Sequence, residues 1–563
     1  MNRFDLPRIT TGLAQARDFR PYYDAKAPKA LAYRGNLSVS GRVLAVQLEL
    51  RDNDIVQLPK IRLLDPPTEL RFGAPHIESD GCVCYASPAT YVIDRGFVLE
   101  SLVGCIDQAA TVLSDILEGR AATDPANEFL AYWQGTPVLV DIDPRFGADA
   151  GCIGSLKLRG GAVQIIADDA AALTKRFGNL VVPNSTVEIV VGRIQSTQAA
   201  IPASAPWPPK TMKDLVRWLA KSQPDVLPAL AKAVARAFNQ RQRDITVFVR
   251  AAGSLYAFRA PLSKRSSFHS AQGFATAMVG ETAVAAITSI KRLTPNMVTE
   301  SFIATRNLLP GQPGFLGKRF ALVGCGAIGG FLAAALVRSG AGMGGGSLSL
   351  IDPDRLGAGN LGRHYLGLPD LDAPKADALR AQLIRDYPGV SVSAVPRFVE
   401  SLSNLTGYDL VINAAGIESV SDWLSHTFRS GGFPPVLHAW IEGNGAVAVA
   451  YLEDRPDLAC CRCFRTAAPG GQSIFLRDDY EVKESTAGGC DGLFVPFSVA
   501  AVLHATALAT QLSLDWLASR QSPRLRVTIC DPQEPRAVEN HDPAKRSACP
   551  LCSVTGSDLS DNG

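Results

Sequence analysis

The chain has 563 residues with 47% hydrophobic and 20% charged residues, and its formal net charge is +2. Its length predicts more than one hydrophobic core, because single domains usually hold about 100–200 residues. The small net charge argues against broad electrostatic capture of nucleic acid or of a membrane surface. Twelve cysteines without an apolar N-terminal signal predict reduced thiols for metal binding or catalysis, in a cytoplasmic protein.

Residues 1–125 predict an α+β domain. Apolar and polar residues alternate in LSVSGRVLAVQLEL and VQLPKIRLL, which predicts antiparallel strands. The opening stretch and residues 98–119 have helical spacing instead. Between these elements, PHIESDGCVCYA places His76, Cys82 and Cys84 in a short glycine-containing segment, and an accessible thiol there is a candidate nucleophile.

Residues 126–300 predict a middle or linker domain without a recognisable chemical motif. TPVLVDIDP starts a series of short strands, and MKDLVRWLAKS predicts a helix. The proline-rich IPASAPWPPK predicts a linker or a surface loop.

Residues 301–563 predict an α/β domain. RFALVG, SLSLID, SVSAVP, DLVINAA and PVLHAW are predicted strands, with helices between the earlier ones, and this alternation favours a mostly parallel, doubly wound sheet. The apolar stretch 494–518 is interrupted by His504, Gln511 and Asp515. It therefore predicts a buried helix, because a membrane span needs about 20 nearly uninterrupted apolar residues.

A glycine loop follows the first of these strands. Gly324, Gly326 and Gly329 form GxGxxG before an apolar helix. Glycines let the backbone approach a phosphate, and the helix N-terminus supplies N–H groups. By itself this motif fits a nicotinamide or flavin dehydrogenase equally well, or no nucleotide at all.

The residues behind the glycine loop favour ATP. Asp352, after the second strand, is suited to a ribose hydroxyl. Arg363 and Lys375 suit a triphosphate attacked at its α-phosphorus, because cations offset the charge that builds up there. Each of these two alone would be interpreted as a surface charge. The full ordered set of candidates is Asp352, Asp354, Asn360, Arg363 and Lys375.

The C-terminal part carries two CxxC pairs and one further cysteine. Cys460 with Cys463, and Cys549 with Cys552, provide four thiolates for a tetrahedral structural Zn²⁺ site, the alternative being ordinary buried cysteines. The spacing favours Cys460 over its neighbour Cys461. Cys490, in STAGGCDG, is not needed for metal, and its glycine-rich setting predicts either a nucleophile or a loop cysteine without a role.

The segment from Gly324 to Lys375 resembles the ThiF/MoeB-type adenylation domain shared with ubiquitin-activating enzymes. The resemblance implies ATP-dependent adenylation of a protein C-terminal carboxylate, with Asp352 at the ribose and Arg363 and Lys375 at the phosphates. It also implies Zn²⁺ on the two CxxC pairs, Mg²⁺ with ATP, and thioester formation on a downstream cysteine, here Cys490. One departure concerns Mg²⁺, since Gly416 stands where the family usually has an aspartate ligand.

The stretch PHIESDGCVCYA resembles the active-site segment of ubiquitin-conjugating enzymes. His76, Gly81 and Cys84 match its histidine, glycine and cysteine, and the glycine–cysteine spacing selects Cys84 over Cys82. The family's asparagine is not evident, so His76 is expected to take part of its role. A packed or hydrogen-bonded side chain is an equal alternative for His76 alone.

The order of the two parts resembles bacterial fusion proteins of CBASS anti-phage operons. This resemblance covers the first ~120 and the last ~260 residues by motif. It implies that a cGAS-like nucleotidyltransferase is joined through its C-terminus to an acceptor amine, a lysine, by a homodimeric enzyme. No nucleic acid or membrane partner is expected.

Three alternatives differ in testable ways. A sulfur-carrier adenylyltransferase would use the same loop without any thioester on Cys84. A dehydrogenase would have no use for Arg363 and Lys375. A zinc-stapled scaffold would bind a nucleotidyltransferase without modifying it.

Overall fold

The computed structural model describes most of the chain, in two compact units. The described residues are 6–23, 31–52, 54–71, 74–87, 91–121, 128–142, 150–202, 207–263, 265–402, 405–431, 434–465, 473–486, 493–532, 536 and 538–552. The first unit combines Met1–Leu173 with Leu180–Met297, and the second combines Thr174–Asn179 with Val298–Gly563.

The first unit opens with a helix and an antiparallel sheet. These elements are α1 (Leu6–Arg17), β1 (Arg20–Tyr22), β2 (Leu31–Val39), β3 (Arg42–Leu50), β4 (Lys60–Leu63) and α2 (Val98–Leu117). The strands pair in the order β1-β2-β3-β4. One face of β3 buries Leu44, Val46 and Leu48 against the apolar face of α2, as the alternation and the helical spacing predict.

The rest of the first unit is built around a closed barrel. Its strands are β5 (Thr136–Asp141), β6 (Ala150–Leu158), β7 (Gly161–Ala167), β8 (Val187–Ala199), β9 (Asp244–Ala252), β10 (Ser254–Pro261) and β11 (Lys291–Met297). They close in the order β10-β11-β5-β7-β6-β8-β9. The helices of this region, in chain order, are α3 (Phe129–Trp133), α4 (Ala170–Phe177), α5 (Met212–Ser222), α6 (Val226–Asn239), α7 (Ala271–Met278) and α8 (Ala283–Ile287).

Helix α3 is anchored to the barrel by aromatic packing. Trp133 is fully buried, and its Nε1–H donates to the carbonyl oxygens of Ala257 (3.0 Å) and Leu293 (3.1 Å) in two barrel strands. Trp207 packs against Trp133 at 6.1 Å between ring centroids. The proline-rich stretch was predicted to be a linker or surface loop, but its Trp207 is part of this half-buried cluster.

The second unit contains a seven-stranded sheet. Its elements are α9 (Glu300–Thr305), β12 (Arg319–Val323), α10 (Ala327–Arg338), β13 (Ser347–Ile351), α11 (Lys375–Asp386), β14 (Val392–Val395), β15 (Leu410–Asn413), α12 (Glu418–Arg429), β16 (Val436–Glu442), β17 (Val447–Glu453), β18 (Ser485–Thr486), β19 (Leu493–Phe494), α13 (Val499–Leu517) and β20 (Leu525–Ile529). The order is β14-β13-β12-β15-β16-β17-β20.

The pairing of this sheet confirms the predicted parallel architecture. The first five strands in that order are parallel, and β17 and β20 add antiparallel pairs at one side. The chain moves outward in opposite directions from β12, so a crevice opens at the carboxyl ends of β12, β13 and β15. Helix α13 buries Val502, Ala505 and Leu512 as predicted, and no described helix is long and apolar enough to cross a bilayer.

Candidate active sites

The glycine loop joins β12 to α10, and its three glycines meet different constraints. Gly324 has φ +86°, and a Cβ there would lie 2.6 Å from the backbone of Ala415. A Cβ at Gly329 would overlap the carbonyl oxygen of Gly324. By contrast, a Cβ at Gly326 would meet no atom within 4 Å, which leaves space at the start of α10. Gly324 and Gly329 therefore set the loop conformation, while Gly326 keeps the approach to the helix N-terminus open.

Two side chains hold the loop at Cys325. Asp352 Oδ2 accepts the Cys325 backbone N–H at 2.6 Å, and Oδ1 accepts the Asp354 N–H at 2.8 Å. His364 Nδ1 accepts the Leu366 N–H at 3.0 Å, so its Nε2–H donates to the Cys325 carbonyl oxygen at 2.8 Å. Burial lowers the pKa of His364 and favours this neutral ring. Sequence analysis missed His364, although it directly follows Arg363.

A cavity of about 140 Å³, here called the loop cavity, lies beside the glycine loop. Five of the predicted nucleotide-binding residues line it: Gly324, Gly326, Asp352, Asp354 and Lys375. Lys375 is buried, and its Nζ donates to Asp354 Oδ2 at 2.8 Å. Burial raises the pKa of Asp352. Lys375 is thus a positioned cation inside the crevice rather than a solvated surface charge.

The three other predicted residues, Gly329, Asn360 and Arg363, do not line the loop cavity in the described structure. Asn360 Oδ1 accepts the Gly357 N–H at 3.0 Å and so shapes the turn after β13. Arg363 donates to the Gly359 carbonyl oxygen at 3.0 Å, and its guanidinium lies 5.0 Å from the ring centroid of Phe497. Their roles toward ATP stay predictions.

Gly416 lines a second cavity of about 100 Å³, together with Glu418, His438 and Glu442. Glycine offers no side-chain ligand, so position 416 does not fit the magnesium site that the resemblance implies. Glu418, the nearest acidic residue along the chain, is paired with Arg465 at 2.7 Å.

The two CxxC pairs come together as predicted. The Sγ–Sγ distances are 3.8 Å for Cys460–Cys463, 3.5 Å for Cys460–Cys549, 3.5 Å for Cys463–Cys552 and 3.2 Å for Cys460–Cys552. A tetrahedral zinc with bonds of about 2.3 Å would separate its sulfurs by about 3.8 Å, so the four thiols fit this metal. Cys461 is not one of them and lines the second cavity instead. Cys490 lies outside the described residues.

A buried ion pair supports the cysteine cluster. Arg429 donates to Glu453 Oε1 at 2.7 Å, and to the carbonyl oxygens of Leu458 (2.9 Å) and Ala459 (2.7 Å), which directly precede Cys460. The Glu453 carboxylate is fully buried and also accepts from Ser425 at 2.6 Å. This network fixes the chain where it enters the first CxxC pair.

In the first unit, the two cysteines of PHIESDGCVCYA differ in accessibility. Cys84 is exposed, whereas Cys82 is buried and its thiol donates to Asp80 at 3.3 Å. The Cys84 thiol donates to Glu78 Oε1 at 3.4 Å. Local desolvation raises the pKa of Cys84 to about 12, with further contributions from the Glu78 and Glu128 carboxylates. The geometry supports the choice of Cys84, and the thiol is reachable but held protonated.

Cys84 opens into a cavity of about 720 Å³, here called the thiol cavity. Its lining residues are His76, Ile77, Glu78, Ser79, Cys84, Glu128, Leu130, Ala131, Tyr132, Gln134, Gly253, Ser254 and Leu255. Sequence analysis missed Glu78, Glu128 and Tyr132. Glu78 lies two residues after His76, within the predicted active-site segment, so the sequence offered a signal for it. Glu128 and Tyr132 lie in no recognisable motif.

Two family models match this chain. The ThiF family model matches residues 308–551, and the model described as Prokaryotic E2 family B matches residues 15–137. These matches assign the glycine loop and the cysteine cluster to a ThiF-like adenylation domain, and Cys84 to an E2-like region.

Curated relatives match across nearly the whole chain. The ATP-dependent ubiquitin transferase-like protein Cap2 of Pseudomonas aeruginosa is 31% identical over 89% of this chain and 90% of its own length. The Cap2 proteins of Escherichia coli and Vibrio cholerae are 24% and 27% identical, over 92% and 87% of this chain and 92% and 88% of their own lengths. A crystal structure of E. coli MccB with ATP aligns at a TM-score of 0.32 and 17% identity, over 42% of this chain and 66% of that one, which is too loose for inference. The chain therefore belongs to the Cap2 family of ATP-dependent ubiquitin transferase-like enzymes of CBASS, in which an activating-type and a conjugating-type part share one polypeptide.

Proposed function

We propose that this enzyme adenylates the C-terminal carboxylate of a partner protein and passes the acyl group through Cys490 and Cys84 to an acceptor amine. The observation that carries the proposal is one chain with both a glycine-loop cavity containing a buried lysine and an exposed cysteine in a large separate cavity. Two thiols on one polypeptide raise their effective concentration, so the transfer needs no separate encounter.

The proposed steps use Lys375 and Cys84 from the two cavities together with Arg363 and Cys490. A carboxylate oxygen of the partner attacks the α-phosphorus of ATP and pyrophosphate leaves, with Lys375 and Arg363 offsetting the negative charge that builds up. The Cys490 thiolate then attacks the acyl carbon and AMP leaves. The Cys84 sulfur loses its proton to the departing Cys490 sulfur as it takes the acyl group, and a lysine amine finally displaces Cys84. Each sulfur ester keeps the carboxylate activated for the next step.

We propose the partners of this reaction as well. The modified protein is a cGAS-like nucleotidyltransferase, the acceptor is lysine, the enzyme is a homodimer in the cytoplasm, and the reaction serves anti-phage defence. Membership of the Cap2 family supports this assignment.

The proposal includes a structural Zn²⁺ ion and an Mg²⁺ ion that accompanies ATP. Zn²⁺ would be held by Cys460, Cys463, Cys549 and Cys552, where it stabilises the fold and takes no part in the chemistry. Mg²⁺ would arrive with ATP. No catalytic step is assigned to Mg²⁺, because Gly416 supplies no ligand.

Nonreducing gels test the relay. With ATP, magnesium and the nucleotidyltransferase, a covalent adduct should form and should disappear when thiol is added. Cys84→Ala should trap the adduct on Cys490, and Cys490→Ala should give no adduct, while the matched control Cys530→Ala should behave as the parent. Loading of Cys84 in the Cys490→Ala protein would show that the relay order is wrong.

Pyrophosphate exchange separates the alternatives. Partner-dependent ATP–pyrophosphate exchange without any thioester would favour a sulfur-carrier adenylyltransferase. The absence of exchange would favour a scaffold.

A further inference from the structure

Glu128 lines the thiol cavity, and Tyr132 and His76 hold its carboxylate from two sides. Tyr132 Oη donates to Glu128 Oε2 at 2.9 Å, and Tyr132 Oη itself accepts the backbone N–H of His76 at 2.8 Å. His76 Nδ1 lies 3.3 Å from Glu128 Oε1. Both carboxylate oxygens therefore have defined partners. Burial and the neighbouring Glu128 carboxylate raise the pKa of Tyr132, so its hydroxyl remains a donor at neutral pH.

The barrel supplies the support for this arrangement. Glu128 directly precedes α3, and Tyr132 lies within it. The next residue, Trp133, anchors the helix to the barrel through its two bonds to Ala257 and Leu293. Gly253, between β9 and β10, and the first two residues of β10, Ser254 and Leu255, form another part of the thiol cavity wall. The surroundings of Cys84 are thus built partly by barrel residues and not only by the segment that carries the thiol.

The charge of the thiol cavity favours a cationic ligand. Glu78 and Glu128 are its carboxylates, and none of the described lining residues is Lys or Arg. Two carboxylates with His76 beside one of them, and with no lysine or arginine in the described lining, attract a protonated amine and repel an anion.

We propose that Glu128, oriented by Tyr132 and His76, binds the ammonium group of the acceptor and takes its proton before the amine attacks the Cys84 thioester. This inference rests on the proposed function and adds to it a catalytic base for the acceptor amine. Tyr132 and His76 are positioning residues.

The proton and bond balance is complete. R–NH₃⁺ gives one proton to the Glu128 carboxylate, and the free amine attacks the thioester carbonyl carbon. A C–N bond forms, the C–S bond breaks, and the amine nitrogen loses its second proton to the departing Cys84 sulfur. Glu128 then releases its proton to solvent. The products are the amide, the Cys84 thiol and one proton.

A discharge experiment on the full chain tests this base without the activating half. Cys84 is acylated directly with the 2-mercaptoethanesulfonate thioester of a Gly-Gly peptide in a Cys490→Ser chain, and discharge is followed by intact mass spectrometry. Two acceptors are compared near neutral pH: free lysine, whose amine is protonated, and hydroxylamine, which is already neutral.

Glu128→Gln should slow discharge to lysine by about tenfold or more, as loss of a general base does, and should leave discharge to hydroxylamine within twofold of the parent. Tyr132→Phe should show the same selective loss at smaller size. Glu100→Gln, at an exposed acidic residue of α2, should change neither rate. An equal loss with both acceptors, or no loss with lysine, overturns the proposal.

The same experiment separates this inference from the relay. If ATP and the nucleotidyltransferase fail to load Cys84, but the chemically loaded protein still shows the lysine-selective loss, the relay is wrong and the acceptor subsite stands.

Discussion

Asp352 and His364 form hydrogen bonds with the two backbone groups of one residue in the glycine loop, the N–H and the carbonyl oxygen of Cys325. The carboxylate accepts the Cys325 N–H at 2.6 Å and the imidazole donates to its carbonyl oxygen at 2.8 Å. The loop is therefore held in place before any phosphate arrives. Preorganisation of this kind lowers the entropy that binding must overcome.

His364→Ala is expected to loosen the loop and weaken ATP binding. The substitution leaves the buried Cys325 carbonyl oxygen without its donor, which should lower the free energy of unfolding by about 1–3 kcal/mol. Calorimetric titration with ATP and urea unfolding measure the two effects. His426→Ala, at an exposed histidine on α12, is the matched control. Unchanged ATP affinity in His364→Ala would show that the loop keeps its conformation without this bond.

Gly326→Ala and Gly329→Ala should separate binding from folding. The methyl group at 326 enters open space, so stability should change by less than about 0.5 kcal/mol while ATP affinity falls. The methyl group at 329 overlaps the Gly324 carbonyl oxygen, so that protein should be strongly destabilised despite the higher helix propensity of alanine. Thermal unfolding with and without ATP distinguishes them. Normal ATP affinity in Gly326→Ala would mean that no phosphate of ATP lies close to residue 326.

Glu78→Gln should make Cys84 more reactive. Burial is the largest cause of the raised pKa of Cys84, about 12, and the Glu78 carboxylate adds to it by opposing thiolate formation, so removal of that carboxylate should lower the pKa. Each unit of decrease gives about tenfold more thiolate below the pKa, and faster alkylation by iodoacetamide. The measurement is the pH dependence of Cys84 alkylation by peptide mass spectrometry, with Glu100→Gln as the control. A slower rate, or an unchanged one, would refute the electrostatic role of Glu78.

Removal of the metal should lower the stability of the fold, and metal binding should depend only on the four clustered cysteines. The purified chain should release one zinc per polypeptide to a chromogenic chelator, and Cys549→Ser should contain much less. Cys461→Ser is the sharpest control, because this residue adjoins Cys460 yet lies outside the cluster. Zinc content that drops equally in both proteins would contradict the assigned ligand set.

Arg429→Ala should be among the most destabilising substitutions in the second unit. It leaves the buried Glu453 charge uncompensated and frees two carbonyl groups before Cys460, at a cost of about 3–5 kcal/mol. Urea unfolding measures this cost, and Arg385→Ala on the exposed face of α11 should cost less than about 0.5 kcal/mol. Joining Arg429→Met with Glu453→Gln should recover part of the loss. No recovery would indicate that the carbonyl contacts, not the charge pair, dominate.

Local patterns predicted those parts of the fold in which neighbours in sequence are neighbours in space. The parallel sheet followed from alternating strands and helices, and α2 from its apolar spacing. The closed barrel did not follow, because its closure depends on distant pairs such as Thr136 with Leu293. Such pairing is set by tertiary packing, and single-strand patterns do not encode it.

The residues of the candidate sites also divide into those that local spacing reveals and those that only tertiary structure brings together. Cys84, Lys375 and the four clustered cysteines stand in recognisable spacings. His364 reaches Cys325 only because the chain after β13 folds back over the loop. Glu128 lies far along the chain from Cys84, in a segment without a motif, and reaches the thiol cavity because buried Trp133 anchors its helix to the barrel.

The hairpin formed by β9 and β10 gives the barrel a share in the Cys84 site, because Gly253, Ser254 and Leu255 line the thiol cavity. Hairpin turns tolerate substitution better than the strands that they join. Because residues of this hairpin line the space beside Cys84, substitutions there can reshape the thiol cavity without changing the sulfur or its two carboxylates. The shape of the cavity and the chemistry of the sulfur thus depend on different segments of the same polypeptide.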